Sequence, residues 1–133
     1  MKRVIMLSVF TLIVSFLVQA NNGIVVKIND AIAKFSWEKT THDFGKIERK
    51  KPVTAVFEFT NDGEKTLVIS KVKGSCGCTV TDYSKTSIAP GKKGFVKATY
   101  NAAAAGAFKK TVTVTANTGG KPVQLFIKGE VLN

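Results

Sequence analysis

The chain has 133 residues, the size of one domain, and carries 20 lysines and arginines against 9 aspartates and glutamates, a formal charge of +11. Both of its methionines, Met1 and Met6, lie in the first twenty residues, so a chain processed beyond them contains none. This excludes a methionine-rich copper carrier. The remaining length is enough to bury about two-thirds of the unfolded surface in a single core.

The first twenty residues have the pattern of a secretory signal peptide. Lys2 and Arg3 precede an uncharged apolar run over residues 4–18, and small residues occupy the −3 and −1 positions of Val18-Gln19-Ala20. A retained membrane anchor is the alternative, but the run of about 15 residues is shorter than the roughly 20 that span a bilayer. We therefore expect residues 1–20 to be cleaved. The mature chain is then periplasmic or secreted without stable membrane insertion, in a compartment where disulfides persist.

Apolar and polar residues alternate with a period of two along several short stretches from Phe35 onward, which is typical of half-buried strands. These stretches read VTAVFEFT, TLVISKV, FVKATY, KTVTVTA and PVQLFIKGEV. The residues predicted to share one core are Phe57, Phe59, Ile69, Val96, Ala98, Val112, Val114, Leu125 and Ile127.

Turn sequences separate these stretches, at Asn61-Asp62-Gly63, Pro90-Gly91 and residues 117–120. No stretch after the signal carries a helical stripe. The pattern predicts an all-β, immunoglobulin-like antiparallel β-sandwich of about seven strands over residues 35–133. Residues 21–34 fit the pattern poorly, and we interpret them as a leader or edge segment.

Four segments carry a family resemblance: FSWEKTTHDFGKI, VFEFTNDGEKTLVISKVKGSCGCTV, IAPGKKGFVKATYN and FKKTVTVTAN. They resemble the DUF1573 family of exported bacterial proteins, which is similar in turn to the ASH and PapD-like immunoglobulin domains. The resemblance covers about residues 35–131. Its most specific part is His42-Asp43-Phe44-Gly45 together with the SCGCT segment around Gly77. It implies a fold and an exported location, and the activity of the family is unknown.

Catalytic groups are scarce in the mature sequence. His42 is the only histidine, and its neighbour Asp43 points to the opposite face of an extended strand, so the two do not form the base and orienting group of a triad. The acidic residues fall at turns or on outward positions, and no glycine loop suits a phosphate. We expect no enzyme activity and no cofactor.

Basic residues are spread over turns and strand ends rather than along one stripe. We interpret them as a solvated surface, with attraction to acidic glycans, lipid head groups or nucleic acid as the alternative. Nucleic-acid binding is disfavoured because aromatic residues are not interleaved with the lysines and because the chain is predicted to be exported.

Cys76 and Cys78 are the only cysteines, with Gly77 between them. In a regular strand their Cβ atoms would lie about 6 to 7 Å apart, so a disulfide requires a local bend, which glycine tolerates at positive φ. Three interpretations stay open: a strained, labile disulfide, a reduced and buried pair, or metal ligation. Two thiolates supply only half of a closed zinc shell, and His42 is the sole additional soft ligand in the mature chain.

Two hypotheses for function follow. The first is an exported, non-enzymatic immunoglobulin-like module that binds or scaffolds a protein or glycan of the cell envelope. The second is a small redox or metal-handling protein that uses the Cys76-Gly77-Cys78 segment. Titration of free thiols in the mature protein separates them.

Overall fold

The computed structural model describes residues 31–133, so the predicted signal peptide and most of the segment 21–34 lie outside the described residues. Eight strands and no helix make up this part of the chain. The strands are β1 (Phe35–Trp37), β2 (Thr41–Ile47), β3 (Val53–Asn61), β4 (Ile69–Gly74), β5 (Thr79–Tyr83), β6 (Lys93–Tyr100), β7 (Gly106–Ala116) and β8 (Val123–Val131). Nothing in residues 31–133 is a helix of the length and apolarity needed to cross a membrane.

The strands form two four-stranded sheets that pack face to face. Sheet A has the order β1-β3-β6-β5, and sheet B has the order β2-β8-β7-β4. Every neighbouring pair is antiparallel except β2 and β8, which run parallel. The predicted immunoglobulin-like sandwich is confirmed, with one parallel pair that the alternation pattern did not indicate.

All nine residues predicted for the core are buried between the two sheets. Strand alternation explains this, since every second residue of β3, β6, β7 and β8 points to the opposing sheet. The core also contains Leu67 and Ile88, which pair with each other outside the named strands. Tyr100 of sheet A stacks on Phe108 of sheet B with 4.0 Å between ring centroids, so aromatic contact joins the sheets near one end.

Asn61 is the fully buried polar residue at the end of β3, although its sequence pattern predicts a turn. Its side-chain oxygen accepts hydrogen bonds from the backbone N–H groups of Lys34 (3.2 Å) and Gly63 (3.0 Å). Its amide nitrogen donates to the carbonyls of Lys65 (2.7 Å) and Ile88 (2.9 Å). Each donor and acceptor site of the amide is therefore satisfied, which allows it to be buried without a net penalty.

The last residues of the segment 21–34 pack against this asparagine turn instead of forming an edge strand. Ala33 is 1% exposed, and the carbonyl of Ile32 accepts a hydrogen bond from the N–H of Glu64 at 3.0 Å. The carbonyl of Lys34 accepts one from Asp62 at 2.9 Å. Residues 32–34 are thus fixed to the domain that follows them.

Candidate functional site

The two cysteines lie in the turn that carries the chain from sheet B to sheet A. β4 and β5 are edge strands of different sheets on the same side of the sandwich, and Ser75 to Cys78 connect them. The structure places the sulfur atoms of Cys76 and Cys78 at bonding distance, with 5.2 Å between the Cα atoms. A close pair is therefore formed within a single turn.

Hydrogen bonds fix this turn to both sheets. The N–H of Ser75 donates to the carbonyl of Thr111 on β7 at 2.8 Å, and the N–H of Thr111 donates to Ser75 Oγ at 3.2 Å. On the other side, the carbonyl of Cys78 accepts from the N–H of Asn101, just after β6, at 3.0 Å. The cysteine turn is consequently held in place at the edge of the sandwich.

The expected role of Gly77 needs correction. Gly77 does not adopt a positive φ, and a Cβ added to it would meet nothing within 4 Å. The bend is instead a turn in which the N–H of Thr79 donates to the carbonyl of Cys76 at 3.3 Å. Gly74 is the glycine under constraint, because its Cβ would lie 2.8 Å from the carbonyl oxygen of Thr79. The close approach of β4 and β5, rather than a special φ between the cysteines, demands glycine here.

Thr79 is a buried polar residue beneath the cysteine turn that sequence reasoning missed. It is 6% exposed, and its Oγ1 lies 3.9 Å from Cys76 Sγ and 4.0 Å from Cys78 Sγ. Within the described chain this hydroxyl has no nitrogen or oxygen partner. A threonine directly after a cysteine pair was the only sequence signal.

His42 lies half-buried on β2, with its ring edge-on to Phe44 at 4.5 Å between centroids. Lys39 Nζ is 2.7 Å from His42 Nδ1, a contact in which the neutral ring accepts and the ammonium donates. Burial lowers the pKa of His42, the charge of Lys39 lowers this pKa further, and Asp43 opposes both. The Asp43 carboxylate accepts from the N–H of Gly45 at 2.8 Å and faces Lys128 at 3.8 Å.

The structure does not bring His42 to the cysteines. β2 and β4 are the two opposite edges of sheet B, separated by β8 and β7, so three strand spacings of about 4.8 Å put them roughly 14 Å apart. Among residues 31–133, no three histidine, cysteine or acidic side chains form a group that could hold a metal ion. The predicted ligand set Cys76, Cys78 and His42 therefore does not converge.

Phe44 and Gly45 form a bulge at the β2 edge of sheet B. The register with β8 shifts between Asp43 and Lys46, and Gly45 has φ +66°. Phe44 packs against the core, with its ring centroid 6.4 Å from that of Phe108. The bulge forms one wall of a shallow groove of about 400 Å³. Charged side chains of both signs line this groove, so it has no single electrostatic preference.

The outer surface of sheet B is a flat polar area that we call the lysine–threonine face. Its members are the outward residues Lys71, Lys73, Lys109, Thr111, Thr113, Thr115, Gln124, Phe126, Lys128 and Glu130. Register places them in rows, with Lys73 beside Thr113 and Thr113 beside Gln124. Lys109 Nζ lies 5.0 Å from the centroid of the Phe126 ring.

The lysine–threonine face carries more positive than negative charge, with Glu130 as its acidic member. Lys128 pairs with Asp43 at the β2 edge, whereas Lys71, Lys73 and Lys109 form no ion pair within the described residues. The outer surface of sheet A differs, since Lys93 and Lys97 share it with Glu58 and Asp82. Four of the described basic residues share this face, and most of the others lie on turns, strand ends or sheet A, as the sequence predicted.

Two four-stranded sheets packed face to face define an immunoglobulin-like β-sandwich domain. The family model described as "Protein of unknown function (DUF1573)" matches residues 35–131, and the chain belongs to that family. No curated protein matches the sequence significantly.

Solved structures share the fold at low sequence identity. A protein of unknown function from Porphyromonas gingivalis superposes with a TM-score of 0.66 at 16% identity, over 75% of this chain and 47% of its own. The chain therefore spans about half the length of that relative. The ASH/PapD-like domain 7 of human CEP192 gives a TM-score of 0.64 at 9% identity, over 77% of this chain and 87% of its own. Domains 4 and 5 of the S-layer protein SbsC give 0.50 at 16% identity, over 77% and 54%.

Proposed function

We propose that this protein is an exported, non-enzymatic binding module of the bacterial envelope that holds an acidic polysaccharide against the lysine–threonine face. The single observation that supports this most strongly is the set of three lysines on the outer face of sheet B, Lys71, Lys73 and Lys109, which form no ion pair within the described residues. An excess of positive charge on a common face attracts a polyanion and raises its rate of association.

The residues between these lysines favour a sugar polymer as the ligand. Thr111, Thr113 and Thr115 follow one another along β7 at every second position, so their hydroxyls form a row flanked by Lys71 and Lys73. Hydroxyl groups donate and accept hydrogen bonds, as sugar hydroxyls do. An extended chain with carboxylate groups matches both the row of hydroxyls and the flanking ammonium groups.

The edge strands are poorer candidates for binding a peptide as an added strand. On β5, Asp82 Oδ1 accepts a hydrogen bond from the N–H of Tyr83 at 2.9 Å. On β4, the carbonyl of Val72 accepts one from Thr81 Oγ1 at 3.3 Å. Occupied backbone groups and charged side chains at an edge discourage strand addition. These contacts support the sheet face over the sheet edge as the binding surface.

Two further observations support the proposed export and the proposed lack of enzyme activity. The signal-peptide pattern of residues 1–20 supports an envelope or extracellular location. Within the described chain, the one histidine has a lowered pKa and is not paired with a carboxylate. This argues for a binding module rather than a hydrolase.

Binding to immobilised polygalacturonate, with neutral dextran as the control polymer, tests the proposal. Lys73→Gln with Lys109→Gln should weaken binding about fivefold or more, since each exposed ion pair contributes up to about 1 kcal/mol. The matched control is Lys93→Gln with Lys97→Gln. It removes the same charge from sheet A, where Lys97 also lies 5.0 Å from a phenyl ring, that of Phe95, and it should bind almost as the wild type does.

Three outcomes would contradict the proposed binding of an acidic polysaccharide to the lysine–threonine face. Equal weakening by the two double variants would show attraction to net charge without a defined face. Equal binding to dextran, or no binding to polygalacturonate at low salt, would show that the ligand is not an acidic polysaccharide. Capture of an envelope protein that survives the sheet B substitutions would point to a protein partner elsewhere on the domain.

A further inference from the structure

We propose that the Cys76–Cys78 pair is a thiol–disulfide exchange site, with Thr79 as the residue that stabilises the thiolate released on reduction. This goes beyond the proposed binding function, because the lysine–threonine face takes no part in it. The starting observation is the buried Thr79 hydroxyl, which lies 3.9 and 4.0 Å from the two sulfur atoms. Buried polar groups normally have partners, and in the described chain these sulfurs are the only ones available to this hydroxyl.

A hydroxyl in this position matters more to the reduced pair than to the disulfide. Disulfide sulfurs are weak acceptors, whereas a thiolate is an anion that accepts a charge-assisted hydrogen bond. When the S–S bond opens, the sulfurs separate and one of them carries the charge. Thr79 Oγ1 is nearly equidistant from both and can donate to whichever is ionised.

β7 carries a lysine next to the point where the chain enters the cysteine turn. Gly74 pairs with Val112, and Ser75 forms hydrogen bonds in both directions with Thr111, so Lys110 is the next residue of β7 in that direction. Lys110 is half-buried. It lies on the face of β7 that carries the buried residues Val112 and Val114, and not on the outer face with Lys109. A nearby cation favours the thiolate over the thiol.

The two cysteines have different surroundings, which assigns their roles. Cys78 packs against the hydrophobic core, and Cys76 does not. The position of a Cβ on Gly77 is open space, so an approaching group meets little obstruction on that side. We assign Cys76 as the sulfur that a partner attacks and Cys78 as the sulfur that leaves as a thiolate when the S–S bond opens.

The exchange balances with a dithiol of another protein as the reductant. A partner thiolate attacks Cys76 Sγ, the S–S bond breaks, and its electron pair leaves on Cys78 Sγ as a thiolate beside Thr79. The second partner thiolate then attacks its own chain's sulfur in the mixed disulfide and releases the Cys76 thiolate. Two electrons move from the partner, which becomes a disulfide, to the pair, and the two partner thiol protons end on the cysteines or in water.

Equilibration of the mature protein with glutathione buffers, followed by alkylation and mass spectrometry, tests the site. Thr79→Val should shift the equilibrium about tenfold towards the disulfide, the change expected from the loss of one charge-assisted hydrogen bond. It should also slow alkylation of the reduced protein at neutral pH. Thr79→Ser keeps the hydroxyl and should stay close to the wild type. The control is Thr81→Val on the same strand, whose hydroxyl bonds to Val72 and which should change neither measurement.

A second pair of variants keeps the test decisive if Thr79→Val fails to fold. Lys110→Gln should also favour the disulfide and slow alkylation, whereas Lys109→Gln, on the outer face, should not. The proposal fails if glutathione cannot reduce the pair, if oxidation yields only dimers between chains, or if the Thr79 and Thr81 variants behave alike. Polygalacturonate binding is unaffected in each of these cases, so failure here and failure of the binding function are distinguishable.

Discussion

The side-chain amide of Asn61 donates a hydrogen bond to the carbonyl of Ile88 at 2.9 Å, inside the core and across 27 residues of sequence. Because water cannot replace a buried bond, Asn61→Ala should lower the free energy of unfolding by about 3 kcal/mol or more. Asn117 provides the control. Its exposed amide also makes two hydrogen bonds, with Val68 and Thr66, and Asn117→Ala should cost only about 1 kcal/mol because water can substitute. Urea denaturation measures both, and equal losses would contradict the role of burial.

Phe57 is fully enclosed between the sheets, whereas Lys109 is exposed on the outer face of sheet B. Phe57→Ala should destabilise the domain by about 3 to 5 kcal/mol, the cost of lost burial and a residual cavity. Lys109→Ala should change stability by less than about 0.5 kcal/mol. Small and similar effects in chemical denaturation would mean that Phe57 is not in the core.

Gly74 directly precedes the cysteine turn and Gly77 lies within it, and the two glycines differ in the space around them. Gly74→Ala places a methyl group against the Thr79 carbonyl oxygen, and we expect a loss of about 1–3 kcal/mol from this overpacking. Gly77→Ala and Gly77→Val enter open space. They should leave the domain folded and Cys76 and Cys78 paired, as native-state alkylation would show. Loss of the pair in Gly77→Val would restore a conformational role for this glycine.

His42 should make the domain less stable in mild acid. The unfolded chain protonates this ring near pH 6.5, but the folded protein does so only at lower pH, because burial and Lys39 lower the pKa. Between these two values the unfolded state binds more protons, so stability falls as the pH falls. His42→Gln should flatten this part of the stability profile. Thermal unfolding from pH 7.5 to 5 compares the two proteins, and parallel profiles would contradict the prediction.

The mature protein should begin at Asn21. Val18-Gln19-Ala20 fits the recognition pattern of signal peptidase, and no cysteine lies directly after the apolar run to accept a lipid. N-terminal sequencing of the protein from its host and carbonate washing of membranes check this. Retention of Met1, or retention in washed membranes, would indicate an anchor instead.

The sequence was informative where alternation reports burial and was less informative where polar residues point inward. β3 and β7 were predicted because Phe57 and Val112 alternate with exposed polar residues. β5 was missed because its pattern is inverted. Buried Thr79 faces the core, whereas Val80 is 68% exposed. Hydrophobicity alone assigns these two residues to the wrong faces.

At the candidate site, the sequence also failed to predict contacts between residues that lie far apart along the chain. The spacing of Cys76 and Cys78 along the chain left a bonded pair as one of three open interpretations, because it depends on a local bend. The position of Thr79 beneath them depends on how β4 turns into β5, and the position of Lys110 next to the start of this turn depends on the pairing of β4 with β7. Spacing also left His42 available as a ligand, but the order of strands in sheet B places it at the far edge.

The parallel pairing of β2 with β8 has a consequence for the time course of folding. β8 lies between β2 and β7, so these two strands cannot be joined in one sheet until residues 123–131 have been synthesised. Contacts between such distant segments carry a high loop-closure entropy and slow the search for the native state. Until β8 has been made, β2 has no strand to pair with, and the hairpin of β7 and β8 cannot form. We therefore expect sheet B to be incomplete in the nascent chain until residues 123–131 have been added.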